Sequence, residues 1–377
     1  MKDIIFIAHS PDFYGADKVL YQVIEATRGK HNVHVLLPGE GEMSRRLKAL
    51  PDVQLYFLSL PRFSLAARDI AANLVIFIPF LLTFKKLLNR IKPALIYGNT
   101  IRSALPVVIA RKLGYATLVH YHECNVTGMT GQLLAKLVNV AADRNIFVCR
   151  FALESYTIFS PDVMSKSIVI HNGINQPAVG SKDVEPEAFR GGEPKLLSVA
   201  QLATHKRIID LIEAMPAICS VYPRARLVVL GEGEMRQALE NRIKELKLEE
   251  CVLLPGYLND ITSLVSATDI FLAPFEKEAC NMAVIEAMAA GKPVVAADGG
   301  GMPELVSEGE TGYLYPSGDI PQLLERVMQL TDSAALRQQL GEAATRRVAR
   351  KFNLPTQMKL ILLEIEAIAR SDKGQTR

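Results

Sequence analysis

The stretch Glu278-Ala-Cys-Asn-Met-Ala-Val-Ile-Glu286-Ala-Met-Ala-Ala-Gly291-Lys-Pro-Val-Val-Ala-Ala297 decides how this chain is read. An apolar, alanine-rich run stops at Gly291, the residue type best able to take the left-handed conformation that ends a helix, and Lys292 suits the negative end that follows. The spacing predicts a short helix starting near Asn281–Met282, then an apolar strand, then the glycine-rich loop Asp298-Gly-Gly-Gly-Met-Pro-Glu304. A helix N-terminus presents backbone N–H groups and partial positive charge, so it can hold a diphosphate. A carboxylate repels phosphate but accepts hydrogen bonds from ribose or sugar hydroxyls. Glu278 falls in the loop before the helix, and Glu286 faces inward about a turn into it. An inward carboxylate without a partner is costly, so Glu286 is expected to have a designated one. Together these features imply a nucleotide-sugar site.

Outward from this unit, the chain alternates short apolar strands with helical stretches. Strands are expected at Asp3–Ala8, Val33–Leu37, Val53–Leu58, Leu95–Gly98, Thr117–His120, Arg144–Val148 and Ser167–His171, then near 195–200, 226–230, 251–254, 269–273, 293–296 and 313–315. Helices fit between or after them, for example at 16–28, 101–113, 206–219, 234–246, 280–290, 319–331 and 333–350. Such alternation implies α/β domains with parallel sheets and right-handed crossovers. A length of 377 residues suits two such domains. The break at 176–194, rich in Pro, Gly and charge, reads as the linker between an N-terminal domain, 1–175, and a C-terminal one, 195–354. Residues 355–377 hold a last helix, expected to pack back across the cleft. Ligands of doubly wound sheets sit at the carboxyl ends of the strands, here in the crevice between the domains.

Charge is uneven. Residues 1–175 hold 20 Lys/Arg against 12 Asp/Glu, and residues 176–377 hold 23 against 28. A basic half beside an acidic half suggests that the first domain meets something anionic. The apolar run 71–84, AANLVIFIPFLLTF, is preceded by Arg62 and Arg68 and followed by Lys85, Lys86, Arg90 and Lys92. It falls short of the roughly 20 residues that span a bilayer, and Pro79 costs about 3 kcal/mol in a regular helix interior. Two readings stay open: a core helix, or an interfacial helix whose basic flank meets lipid headgroups. The five cysteines are scattered, without zinc-type spacing, as expected of free thiols in a reducing compartment. The N-terminus reads as a first core strand, too short for a signal peptide.

Glu278-x7-Glu286 followed by Ala-Met-Ala-x-Gly-x-Pro-Val-Val-Ala resembles the retaining GT-B glycosyltransferases of family 4. Their fold is two Rossmann-like doubly wound domains facing a central cleft. The resemblance makes Glu278 a contact of the transferred sugar and Glu286 the ribose ligand, with the backbone N–H groups of Asn281, Met282 and Ala283 on the diphosphate. Cys280-Asn281 stands where the family usually has Phe-Gly. Asn tolerates unusual φ and can donate a hydrogen bond, so a changed pocket wall is expected. Ser198-Val-Ala-Gln201-Leu-Ala-Thr-His-Lys206-Arg207 resembles Gly-Arg-Leu-x-x-x-Lys-Gly, whose two cations neutralise the leaving diphosphate. Lys206 matches, Gln201 is a neutral donor in place of Arg, and Arg207 replaces the Gly, with its direction left open.

In the first half, His9-Ser-Pro-Asp-Phe-Tyr-Gly15-Ala-Asp17 resembles the family's glycine loop, with Gly15 approaching the donor. His120-Tyr-His122-Glu123 lies at a strand end. The resemblance places His122 beside the transferred sugar, while the plainer reading is a buried His tied to Glu123. His171–Asn175, Gly231-Glu-Gly233-Glu234, Gly299–Glu304 and Gly309–Gly312 resemble further loops of the family. The chain has no Asp-x-Asp, so no metal is expected and no cofactor beyond the nucleotide sugar, UDP- or GDP-linked.

The implied activity is a metal-independent hexosyltransferase acting with retention on a hydroxyl acceptor. A lipid-linked acceptor at the cytoplasmic membrane face, met through residues 62–92, fits the basic half, with no nucleic-acid partner. The rival readings are a nucleotide-sugar epimerase of the same architecture and a binding-only homologue. An oxidoreductase fits less well, since no GxGxxG follows the first strand.

Overall fold

The structure is a computed structural model that describes residues 1–61, 67–124, 128–175, 186–258 and 260–370. Residues 176–185 of the expected linker, Arg62, the side chains of 67–75 including Arg68, and the tail 371–377 lie outside the described residues. The chain divides into two units, Met1–Gly173 with Pro355–Arg377, and Ile174–Leu354.

Unit 1 is built on seven parallel strands: β1 (Asp3–Ile7), β2 (Asn32–Leu37), β3 (Val53–Phe57), β4 (Leu95–Asn99), β5 (Thr117–Tyr121), β6 (Arg144–Phe147) and β7 (Ser167–Val169), in the order β3-β2-β1-β4-β5-β6-β7. β4 and β5 are buried along their whole length, as their almost unbroken apolar sequence requires of strands covered on both faces. The order reverses beside β1. Right-handed crossovers therefore put helices Gly15–Thr27 and Glu42–Lys48 on one face, and Ala67–Ile91, Ala104–Lys112 and Gly128–Ala141 on the other. The C-terminal helix Leu354–Arg370 returns to this unit. Arg144 grips Glu364 through two hydrogen bonds of 2.6 and 3.2 Å, and Lys2 Nζ donates to the Ala369 carbonyl at 2.5 Å.

Unit 2 repeats the plan with six parallel strands: β8 (Lys195–Val199), β9 (Arg226–Leu230), β10 (Val252–Gly256), β11 (Ile270–Ala273), β12 (Val294–Asp298) and β13 (Gly312–Pro316), ordered β10-β9-β8-β11-β12-β13. Its reversal falls between β8 and β11. The last part of the expected linker, residues 186–194, is structured here, because Phe189 is fully buried and Glu193 N–H bonds the Arg224 carbonyl at 2.9 Å.

The open question over residues 71–84 resolves into two faces of one helix. Ala67–Ile91 runs through Pro79. Phe80, Phe84, Leu87 and Leu88 are buried, whereas Phe77, Ile78 and Leu82 are exposed. The core-helix reading holds for one face, and the other face is apolar and exposed. Among the described residues no helix is long and apolar enough to cross a membrane.

Candidate functional site

In unit 2 the relevant side chains leave the carboxyl ends of β8 and β11, the two strands that flank the reversal of strand order. Ligands gather at such a switch point because the flanking loops diverge there. After β8, a single 3-10 turn, Thr204–Lys206, delivers Lys206. After β11, a loop delivers Glu278 to the same place, and the two form an ion pair. Lys206 Nζ also lies 5.3 Å from the Phe275 ring centroid. The pair is mostly shielded, with side chains 12% and 17% exposed.

Three loops interlock to hold this pair. Glu276 N–H bonds the His205 carbonyl at 3.2 Å, and Gly301 N–H bonds the Glu278 carbonyl at 2.7 Å. Gly300 has a left-handed φ of +58°, and a Cβ there would stand 2.3 Å from the Glu278 carbonyl oxygen. Only glycine meets both conditions. The loop Gly231–Gly233 clasps the Gln201 segment in the same manner, with Leu202 N–H on the Glu232 carbonyl at 2.9 Å. Gln201 itself is exposed.

The helix of the opening motif is Met282–Ala289. Asn281 is its N-cap, with an ordinary φ of −84°, and its Oδ1 accepts the Val284 N–H at 3.2 Å. That role stabilises a helix start by about 1 kcal/mol. It corrects the expectation of a donor with unusual φ: the side chain acts as an acceptor, and Cys280 is buried. By helix geometry the N–H groups of Met282 and Ala283 have no carbonyl within their own helix. Glu286 is only half-buried. It shares with Met282 the one stripe of the helix that is not buried, while Ala283, Val284, Ile285, Ala287 and Met288 fill the core.

Arg207 points away from a phosphate role. It takes the left-handed conformation, φ +50° and ψ +31°, where the resembling pattern has Gly. Its guanidinium grips Asp210, which is buried, at 2.7 and 3.0 Å. Asp210 in turn raises the Arg207 pKa above its ordinary value. The bidentate contact offsets the backbone strain of a non-glycine residue in this region.

In unit 1 the corresponding ends of β1, β4 and β5 bring together His9, Asp17, Asn99, Arg102, His122 and Glu123. Asn99 decides the state of His122. The Asn99 Nδ2 donates to the Ala16 carbonyl at 3.3 Å, which turns Oδ1 toward His122 Nε2 at 3.0 Å. Nε2 therefore carries the proton, and the neutral ring presents Nδ1 as an acceptor. Among the described residues no group bonds that Nδ1. Burial first, then His120 and His9, hold the His122 pKa well below the ordinary range. His120 is buried and bonds Tyr97 through Nδ1 at 2.6 Å. The plainer reading of a buried His was thus correct for His120, but its partner is Tyr97, not Glu123.

Gly15 opens the helix Gly15–Thr27, and nothing lies within 4 Å of where a Cβ would stand. Neither backbone conformation nor protein packing demands a glycine here. Asp17 closes the cap by accepting the Tyr14 N–H at 3.2 Å. It is 1% exposed, and burial pushes its pKa up to about 7. His9 Nδ1 lies 3.7 Å from it, with a pKa lowered to about 4 by burial and then by Arg102. Perturbed groups of this kind collect at functional sites. Sequence reasoning missed Asn99 and Arg102, and quoted Asp17 only as the last residue of the glycine-loop motif. The available signal was a polar residue closing the fully apolar strand β4 at the switch point.

Two doubly wound parallel-sheet units with sites at their switch points define a protein of the GT-B fold. Residues 13–176 match the family model Glycosyltransferase Family 4, and residues 181–347 match Glycosyl transferases group 1. The chain belongs to this glycosyltransferase family. N-acetyl-alpha-D-glucosaminyl L-malate synthase of Bacillus anthracis is 30% identical over 160 residues, which are 42% of this chain and 42% of that protein. The matches span less than half the length of such curated relatives. Among solved structures, Anabaena Alr3699/HepE in complex with UDP-glucose is 20% identical, covers 97% of this chain and 100% of that one, and has a TM-score of 0.82. Sucrose-phosphate synthase of Thermosynechococcus elongatus is 22% identical, covers 98% and 100%, and has a TM-score of 0.81. At these identities the two structures establish the fold.

Proposed function

We propose that the protein transfers a hexosyl group from a nucleotide diphosphate sugar, UDP- or GDP-linked, to a hydroxyl acceptor, with retention and without a metal. The observation that carries this reading is the shielded Lys206–Glu278 pair at the unit 2 switch point, beside the start of the helix Met282–Ala289. A diphosphate brings charge that draws Lys206 to itself and is also suited to the N–H groups of Met282 and Ala283. Glu278 is then released to accept hydroxyls of the sugar. Glu286, on the same helix stripe as Met282, is suited to the ribose. Gln201 adds a neutral donor, and Arg207 fixes the Lys206 loop through Asp210.

In the reaction the C1–O bond to the phosphate breaks, and the acceptor oxygen bonds C1 on the same face. The acceptor's proton passes to the departing phosphate oxygen. Lys206 and the helix N-terminus stabilise the charge that develops there, the largest expected catalytic contribution. His122 supplies Nδ1 as an acceptor for a sugar hydroxyl, and Gly15 leaves room for the donor. The acceptor is lipid-linked, as in polysaccharide or glycolipid assembly. It is met at the cytoplasmic face of an anionic membrane through residues 62–92. The curated relative named above is a synthase and the family is one of transferases, which favours transfer over epimerisation.

A thermal-shift panel of UDP-, GDP-, ADP- and TDP-sugars tests the donor site. A UDP- or GDP-sugar should raise Tm. Glu286→Ala should weaken that stabilisation, and Glu278→Gln should lower turnover while keeping it. Stabilisation by none of the four, or equal and negligible effects of both substitutions, overturns the reading.

A further inference from the structure

The exposed apolar side chains are distributed unequally over unit 1. Helices Ala67–Ile91, Ala104–Lys112 and Gly128–Ala141 form one layer on one face of the sheet, with Ala104–Lys112 in the middle. The Tyr115 hydroxyl, just after the middle helix, donates to the Leu88 carbonyl at 3.1 Å and ties that helix to the first. The first helix exposes Ile78 at 61% and Leu82 at 64%. The third exposes Leu133 at 55% and Val140 at 77%, with Leu137 between them. Positions 133, 137 and 140 are spaced as one stripe of a helix, and their neighbours Leu134, Ala135 and Val138 are buried against the unit. The two helices on the opposite face, Gly15–Thr27 and Glu42–Lys48, expose no large apolar side chain.

We propose that the helix Gly128–Ala141 is a second lipid-docking element, which joins helix Ala67–Ile91 to make this layer one broad membrane-facing surface. The proposal rests on the membrane reading given for residues 62–92 and extends it to a segment whose sequence does not announce it. Charge selects the occupant. The three helices of the layer carry seven Lys/Arg and one acidic residue, Asp69. Lys85, Lys86, Arg90, Lys112 and Lys136 are all exposed. An apolar stripe bordered by cations fits an anionic bilayer surface, where acyl chains take the apolar groups and headgroup phosphates take the amines. A second copy of this chain would bring the same cations and repel. Two outward-facing helices in one layer also present a plane, the shape that a bilayer requires.

Flotation of the full chain with phosphatidylcholine vesicles doped with phosphatidylglycerol, against phosphatidylcholine alone, tests this. Leu133→Glu/Val140→Glu should lower the bound fraction about tenfold, and Lys136→Glu should lower it further on the doped vesicles only. Both changes lie on exposed positions, and an unchanged Tm with and without UDP-sugar verifies the fold. If Leu133→Glu/Val140→Glu floats like the parent while Ile78→Glu/Leu82→Glu is lost, the second element is refuted and the first stands. If neither pair matters, both readings fail. A lipid-independent dimer in light scattering that Leu133→Glu/Val140→Glu abolishes also overturns the proposal.

Discussion

The two units use one topology to opposite chemical ends. In each, strand order reverses beside the first strand, and polar side chains gather at the carboxyl ends there. In unit 2 the gathering is ionic: Lys206 and Glu278 sit in contact, with backbone from three loops locked around them. In unit 1 two histidines and an aspartic acid are held neutral beside the Arg102 guanidinium. His9 and His122 are held uncharged by burial, and burial keeps a proton on Asp17 up to about neutral pH. An ion pair can exchange one partner for an incoming anion. A set of buried neutral donors and acceptors suits hydroxyl groups, for which no net charge must be desolvated. On the proposed reading, topology sets the position of each site, and the charge state of its groups sets the ligand class.

Three experiments can break or sharpen that contrast. The largest effect is expected from Lys206→Ala, which removes the cation of unit 2. Turnover with a UDP- or GDP-sugar should fall about 100- to 1000-fold, measured as released nucleoside diphosphate. A loss below about tenfold would mean that the unit 2 site is not organised around an anion. His122→Ala should lower turnover about 10- to 100-fold, within the range for a lost buried hydrogen bond at a reacting sugar. Nucleotide-induced stabilisation should not change, and His122→Gln should recover part of the activity because its amide oxygen can also accept. The parent enzyme's pH–rate profile should show no limb near 6.5 from this ring. A limb there that disappears in His122→Gln contradicts the neutral assignment.

Asp17→Asn is expected to change turnover least, and it is read in stability. The folded pKa of Asp17, about 7, lies above its ordinary 3.8. The folded state therefore holds a proton that the unfolded chain releases between these values, so this group's contribution falls as pH rises from about 4 to 7 and is level above. The asparagine keeps an oxygen for the Tyr14 N–H and removes the titration. Its stability relative to the parent should rise across that window and then plateau. His9 works in the opposite sense, because its lowered pKa makes stability fall as pH drops from 6.5 toward 4. A variant-minus-parent difference that is flat with pH would show that Asp17 is ionised like a surface carboxylate.

Much of this was legible in order along the chain. The alternation of apolar runs located the thirteen described strands within a residue or two, because most of them are buried and a strand buried on both faces must be apolar throughout. Gly291 ended its helix as expected, with φ +72°. Other features depended on partners distant in sequence. Nothing local to Lys206 says that it meets Glu278, more than seventy residues further along. Asn99 reads as an ordinary strand end until Ala16 orients its amide. The run 71–84 could not be assigned to core or surface, since a helix apolar all round shows no period from which to tell its two faces.

By itself the sequence determined the parallel α/β architecture, the two-domain plan and the place of the Glu278–Glu286 motif at a strand–helix junction. These follow from periodicity and turn chemistry, which act between neighbours in the chain. Tertiary structure alone decided that Lys206 meets Glu278, that His122 is neutral with Nδ1 free to accept, and which faces of helices 67–91 and 128–141 stay outside the core. Those outcomes depend on burial and on contacts set by strand order, and such terms exist only once the sheet has brought remote segments together.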